Sequence, residues 1–345
     1  MAPSVPQAWQ TRIGNQRDWI WRGWQTRYTY LKARSDRSGP PLLLLHGFGA
    51  SIAHWRHNVA VLGEHHSIYA LDLLGFGASE KAHAPYNPAF WADQVHDFWQ
   101  TFIRQPVVLV GNSIGSLACL VTAAKYPDMV KGLVLINLPD SSVLENPAWV
   151  NRALQCTGWI TSPLAGLTKG ILTAPLVFDL FFRVLRSSVM IRLWARQAYA
   201  SVDAINEELI EILKRPAHDR GAPRALRALI HSKSSSNGDY TARRVLPELQ
   251  PPALLLWGKQ DRMVPPKLAP LFLQYNPNLT LVEIPDAGHC PHDEQPAEVN
   301  QVILEWLVSW GGERGEGTGK RGQGRGDREE GTGKRGQGTG DRGEG

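Results

Sequence analysis

Val107-Val108-Leu109-Val110-Gly111-Asn112-Ser113-Ile114-Gly115-Ser116 is the stretch from which the rest of the chain can be read. A β-branched apolar run ends in G-x-S-x-G, a pattern in which a strand turns sharply into a helix and leaves a serine exposed at the bend. Gly111 and Gly115 have a physical reason to be there: strand and helix backbones approach closely across such a turn, and a Cβ would clash. Ser116 keeps the next position small. Ser113 is thereby a candidate nucleophile, and its competitor is an ordinary helix N-cap.

Two further pieces stand where that chemistry needs them. Upstream, the apolar run Leu42 to Leu45 enters His46-Gly47-Phe48-Gly49, a glycine-rich loop able to present a backbone N–H to a developing oxyanion. Phe48 and Ile114 are the candidate donors. Downstream, Ala253 to Gly258 reads as a strand with Asp261 in the loop after it, and Leu279 to Ile284 as another strand followed by His289. The order Ser113, Asp261, His289, each on a loop after a strand, suits acyl transfer through a serine, a general base and a carboxylate that orients it. Asp140, after the strand Leu133 to Asn137, competes with Asp261. His46 and His292 compete with His289, although a histidine at the place of His46 more often orders its loop. Asp72 reads as a loop-organising carboxylate.

The segments HGFG (46–49), LDLLGFGAS (71–79), GNSIGS (111–116), WGKQD (257–261) and AGHCPHDEQP (287–296) together resemble the α/β-hydrolase superfamily across most of residues 18 to 311. The similar branch also holds epoxide hydrolases and haloalkane dehalogenases. Those enzymes use an aspartate where this chain has Ser113, so the resemblance implies a serine-ester mechanism. HGFGASIAHWRHN (46–58) and GHCPHDEQPAEVN (288–300) further resemble the photosynthetic group of chlorophyll dephytylase and pheophytinase, which implies a phytyl ester of chlorophyll or pheophytin as substrate. GNS also occurs in hydrolases of carbon–carbon bonds, so lipid esters and carbon–carbon substrates stay open, as does a hydrolase-derived receptor that binds a small ligand with little turnover. Ser116 departs from the glycine usual in GNSxGG.

The implied fold is α/β, a mostly parallel sheet with helices on both faces and a helical lid insertion. Asp18 to Lys32 alternates Trp19, Trp21, Tyr28 and Tyr30 with polar residues, which predicts an antiparallel hairpin turning near Gly23. Strand and helix patterns then alternate, as in a parallel sheet. From about Pro139 to Leu246 the strand rhythm stops. Ile205, Leu209, Ile212 and Leu213 keep helical spacing, with Asp203 and two glutamates at the start and Lys214-Arg215 before Pro216 at the end. Trp159 to Tyr199 is dense in large apolar groups; within it Phe181, Phe182 and Trp194 are the candidate substrate contacts, against the plainer reading that the segment packs on the core. The expected division is 1–17 extension, 18–138 first core part, 139–246 lid, 247–311 second core part and 312–345 tail.

That tail holds only Gly, Arg, Glu, Lys, Gln, Thr and Asp and repeats GTGKRGQG at Gly317 and Gly331, a composition with nothing to bury. G-T-G-K-R-G satisfies a dinucleotide pattern by composition alone, with no strand before it. Its eight Lys and Arg face seven Asp and Glu, so phosphate attraction is largely cancelled and nucleic acid is not an expected partner. With 43% hydrophobic residues the 345-residue chain can bury a large core. Cys119, Cys156 and Cys290 make no paired framework, which suits a reducing compartment. The N-terminus lacks the apolar core of a secretory signal, and no run of about 18 apolar residues exists. A cytoplasmic enzyme is expected, with peripheral contact to a photosynthetic membrane allowed by the apolar, arginine-bearing lid. Oligomeric state is left open. No cofactor or metal is expected: His54, His57, His65 and His66 lack partners in ligand spacing and are assigned surface or structural roles.

Overall fold

The computed structural model describes residues 9–36, 38–144, 175–232 and 239–312. Eight strands form one sheet: β1 Asn15–Trp21, β2 Trp24–Leu31, β3 Leu42–Leu45, β4 Ile68–Leu71, β5 Val107–Asn112, β6 Val130–Ile136, β7 Ala253–Gly258 and β8 Leu279–Ile284. Their order is β1-β2-β4-β3-β5-β6-β7-β8. β1, β2 and β4 pair antiparallel, and every pairing from β4 onward to β8 is parallel. The opening hairpin turns through Arg22 (φ 50°) and Gly23 (φ 86°), the two positive φ values that a tight two-residue turn requires. β1 carries Asn15, Gln16, Arg17 and Asp18 exposed along the sheet edge, which discourages pairing with another chain.

The unbroken apolar runs of the inner strands follow from burial on both faces. Leu43, Leu45, Leu109 and Leu135 join one hydrophobic cluster, while Leu42, Leu44, Val108 and Val134 join the other. Alternate residues along a strand therefore feed opposite cores. Trp9 and Ile13 are buried in the second cluster and β1 already starts at Asn15. The expected boundary at residue 17 thus falls inside the core, because two large apolar side chains ahead of β1 find a place under the sheet.

Helix α1 (Pro88–Phe98) and helix α2 (Ile114–Lys125) flank the sheet, and α2 follows β5 directly. From β3 the chain builds outward to β4 on one side and to β5 on the other, so the crevice beyond the carboxyl ends of β3 and β5 is the switch point where such sheets bind ligands. Between β6 and β7 lie α3 (Pro175–Leu185), α4 (Ser188–Ala198), α5 (Glu207–Ala217) and α6 (Ala222–His231), a helical insertion. In α5 the cap is Asn206, whose side chain accepts from Leu209 N–H, so Asp203 and Ile205 precede the helix instead of opening it. Residues 159–174 of the apolar segment, and 313–345 of the tail, lie outside the described residues. A helix of 17 residues, α7 (Pro296–Gly312), ends the described chain.

Candidate active site

Ser113 sits at φ 55°, ψ −117°, a left-handed conformation that costs a non-glycine residue on the order of 1–3 kcal/mol. The two glycines around it make the turn feasible. A Cβ on Gly111 would overlap the Gly115 carbonyl, and one on Gly115 would overlap the Leu45 carbonyl oxygen. Ser116, the departure from glycine, has a role of its own: its Oγ donates toward Gly111 O (2.7 Å) and also lies 2.9 Å from Ile136 O, tying the turn to β6. Ile114 opens α2, so its N–H is among the first-turn donors that have no acceptor within the helix.

The Phe48 loop is held from beneath. Leu73 N–H donates to His46 Nε2 (3.1 Å), which leaves the ring proton on Nδ1 to reach Gly47 O at 2.8 Å. Burial pushes the His46 pKa down, so the neutral ring that this pattern needs is favoured. Asp72 accepts from Ile52 N–H (2.6 Å) and Ala78 N–H (2.7 Å), bracing the chain on either side. Both residues organise loops, and neither reaches Ser113 by any of these bonds.

His289 Nδ1 stands 2.7 Å from Asp261 Oδ2. The same oxygen accepts from Asn137 Nδ2 (2.5 Å), while Oδ1 accepts from the N–H groups of Met263 (2.7 Å) and Val264 (2.9 Å). Four donors converge on one buried carboxylate. Asp140, the rival acid, instead accepts from Ala242 N–H (2.7 Å) and Ser142 N–H (2.8 Å), fastening the chain where the insertion returns to the core. The sheet end after β6 therefore contributes Asn137, with φ 49°, as a donor to Asp261. Asn112, beside Ser113, donates to His289 O (3.0 Å), and a Cβ on Gly47 would sit 2.7 Å from its Oδ1. Neither asparagine was singled out by sequence reasoning. Their signal was position alone, each at the end of a strand beside a candidate residue.

Ser113, His289, Phe48 and Cys290 line one small chamber. Burial pushes the Cys290 thiol pKa well up, so it rests as a thiol. Beyond the chamber lies a cavity of about 670 Å³ between the insertion and the loops of the sheet, lined among others by Phe76, Tyr86, Phe182, Met190, Ile191 and Leu229. Phe48, Trp194 and Leu213 line both spaces. The rings of Phe48 and Trp194 are 6.1 Å apart, so they form the neck between them. Phe182 is buried, its ring 6.3 Å from that of Phe178. Phe181, one residue away and hence turned by about 100°, is 44% exposed and does not line the cavity. Of the three expected contacts, two are brought to the neck and cavity and one faces outward. Among the described residues no three ligand-type side chains are grouped to hold a metal ion.

A family model described as alpha/beta hydrolase fold matches residues 40–296. The chain belongs to that family. Pheophytinase of Arabidopsis thaliana chloroplasts is 26% identical over 318 residues, covering 81% of this chain. The chain spans 64% of that relative's length. A pimeloyl-[acyl-carrier protein] methyl ester esterase of Shewanella woodyi is 26% identical over 280 residues, covering 80% of this chain and 97% of the relative. Among solved structures, a serine hydrolase involved in carbazole degradation superposes with a TM-score of 0.66 at 22% identity, over 86% of this chain and 99% of that chain, a likeness of fold. The expected fold and family are thus found, and no helix among the described residues is long and apolar enough to cross a membrane.

Proposed function

We propose that this hydrolase cleaves carboxylic esters of apolar substrates by two-step acyl transfer. The observation that carries the reading is the convergence of Ser113, on its strained turn, and the His289–Asp261 pair on one chamber. His289 takes the proton of Ser113 Oγ as that oxygen attacks the ester carbonyl; Asp261 keeps the imidazole oriented and stabilises its charged form. The N–H groups of Phe48 and Ile114 receive the oxyanion. His289 then gives its proton to the leaving alcohol and afterwards activates the water that releases the acid.

The apolar part of the substrate is assigned to the cavity beyond Phe48 and Trp194. A space of about 670 Å³ walled mostly by aliphatic and aromatic side chains, with Lys81, Arg186 and Gln197 among them, suits a long hydrocarbon chain. The names of the relatives bear on this: one is a pheophytinase and another a methyl ester esterase, so the phytyl ester of a chlorophyll-type pigment is the substrate we put first. Purified protein should hydrolyse p-nitrophenyl esters, be labelled at Ser113 by a fluorophosphonate, and release phytol from pheophytin a or chlorophyll a. Labelling with turnover of lipid esters and no phytol release would keep the esterase and remove the pigment; tight ligand binding with neither labelling nor turnover would mark a receptor.

A further inference from the structure

The insertion is stitched to the loop that carries His289. His289 N–H donates to Ala198 O at 2.6 Å, and the Glu294 carboxylate accepts from Gly288 N–H (2.8 Å) and from Ala200 N–H (2.6 Å). A Cβ on Gly288 would overlap Ala198 O. Helix α4, whose Met190 and Trp194 line the cavity, thus ends against the candidate general base.

One residue past that helix, Tyr199 enters a buried polar chain whose directions are fixed link by link. Asp293 is paired with the Arg56 guanidinium (Oδ1 to Nη1, 2.7 Å), so its carboxylate accepts. Tyr199 Oη–H donates to Asp293 Oδ2 at 2.7 Å. The same phenol oxygen then accepts from His54 Nε2–H, also at 2.7 Å, which leaves His54 Nδ1 bare to face His292 Nε2–H at 3.3 Å. Burial holds the His54 pKa down to about 4, in keeping with the neutral ring that the chain requires. His54 belongs to the Ile52–Trp55 turn just after the Phe48 loop and lines the chamber with Ser113 and His289. Three segments meet at one phenol: the turn behind the candidate oxyanion donor, the end of α4, and the Pro291–Glu294 turn after His289.

We propose that Tyr199 is a positioning residue for the reaction, holding the Phe48 loop and the His289 loop in register through His54 and Asp293. The claim rests on the serine-hydrolase reading. Tyr199 lines the chamber as well, but its hydroxyl is engaged by Asp293 and His54; a positioning loss therefore appears in the chemical step, since a displacement of about 1 Å at reacting groups can cost on the order of 100-fold.

The test compares Tyr199→Phe, His54→Leu, the double variant and Tyr126→Phe with the full-length wild type. Tyr126→Phe removes a phenol that binds Asp93 at the far end of α2. With p-nitrophenyl butyrate, Tyr199→Phe should lower kcat about tenfold or more with KM within about twofold, and slow fluorophosphonate labelling of Ser113 in parallel. Tyr126→Phe should match the wild type. The double variant should fall no further than the worse single one, because both break one chain. Should Tyr199→Phe fail to fold, His54→Leu carries the same expectation from the other end. A Tyr199→Phe kcat equal to that of Tyr126→Phe, a loss confined to KM, or additive losses in the double variant would overturn the proposal alone. A wild type that neither turns over nor is labelled overturns the hydrolase reading and this one with it.

Discussion

The chamber around Ser113 and the cavity behind Phe48 and Trp194 are adjacent and built on opposite physics. Around the chamber, polar side chains are buried and partnered: Asp261 has four donors, Asn112 reaches across to His289 O, and His46 is pinned by Leu73 and Gly47. In the cavity, contact is mostly aromatic and aliphatic, with Lys81, Arg186 and Gln197 the polar exceptions, and imposes little direction. A hydrogen-bonded site fixes positions to fractions of an ångström, whereas an apolar one sets volume and transfer free energy. On the proposed reading, chemistry belongs to the first and substrate choice to the second. Variants of the chamber should therefore lose turnover on every substrate, and variants of the cavity should lose it selectively.

The largest effect is expected at Ser113 and His289. Ser113→Ala and His289→Ala should each reduce kcat on p-nitrophenyl esters by on the order of 10⁴ to 10⁶, because the group acts as a unit. Melting temperatures should stay close to wild type for Ser113→Ala, since the hydroxyl supports no fold contact and alanine retains the Cβ at that turn. Retention of even a tenth of the activity would place the nucleophile elsewhere.

The second contrast is between the two carboxylates near the chamber. Asp261→Asn should cost on the order of 10³ to 10⁴ in kcat, as an amide at that place favours the wrong imidazole tautomer. Asp140→Asn should change kcat by less than about threefold and instead lower the melting temperature, since Asp140 braces Ala242 and Ser142. Reversal of that ranking would move the acid to the earlier strand. A milder case is Asn137→Ala, which strips one of the four donors from Asp261 and should cost about tenfold.

What could be read from the chain follows the same division. The strands, the turn at Ser113 and the order Ser113, Asp261, His289 are local: each is a short run of apolar residues closed by glycine and a polar group, so each leaves its mark within about ten residues. Sequence alone leaves Asp140 beside Asp261 as a candidate acid; the structure brings Asp261, and not Asp140, to His289, with Asn137 as a further donor to it. The supports of the chamber left no such mark. Tyr199 and Asp293 are 94 residues apart, and Arg56 and Asp293 are 237 apart; nothing near either member announces the other. Likewise Trp9 and Ile13 look like part of a loose extension until the sheet covers them. In α3 the difficulty is of another kind. Phe178, Leu180, Phe181, Phe182 and Val184 spread over more than half of the helix, with Asp179 and Arg183 on the rest, so period alone does not tell the ring that lines the cavity from the ring that faces away.

That ambiguity, once resolved, yields the smallest and most selective effects. Trp194 stands at the neck and is 39% exposed, so its truncation should cost less fold stability than that of a fully buried ring. Trp194→Ala should leave kcat/KM for p-nitrophenyl acetate within about twofold while lowering it about tenfold for palmitate or phytyl esters. Each methylene that loses apolar cover forfeits up to about 0.8 kcal/mol, so two poorly covered methylenes already suffice for that factor. Phe181→Ala should leave both classes of ester unchanged when they are presented in detergent, because its ring faces outward beside the exposed Leu180 and Val184. A lipid surface is where an effect is expected: on pigment ester embedded in vesicles, removing an outward ring beside Leu180 and Val184 should reduce turnover a few-fold by weakening adsorption. Equal losses for Phe181→Ala and Trp194→Ala on soluble long-chain esters would show that the chain binds along the outside of α3 and not in the cavity.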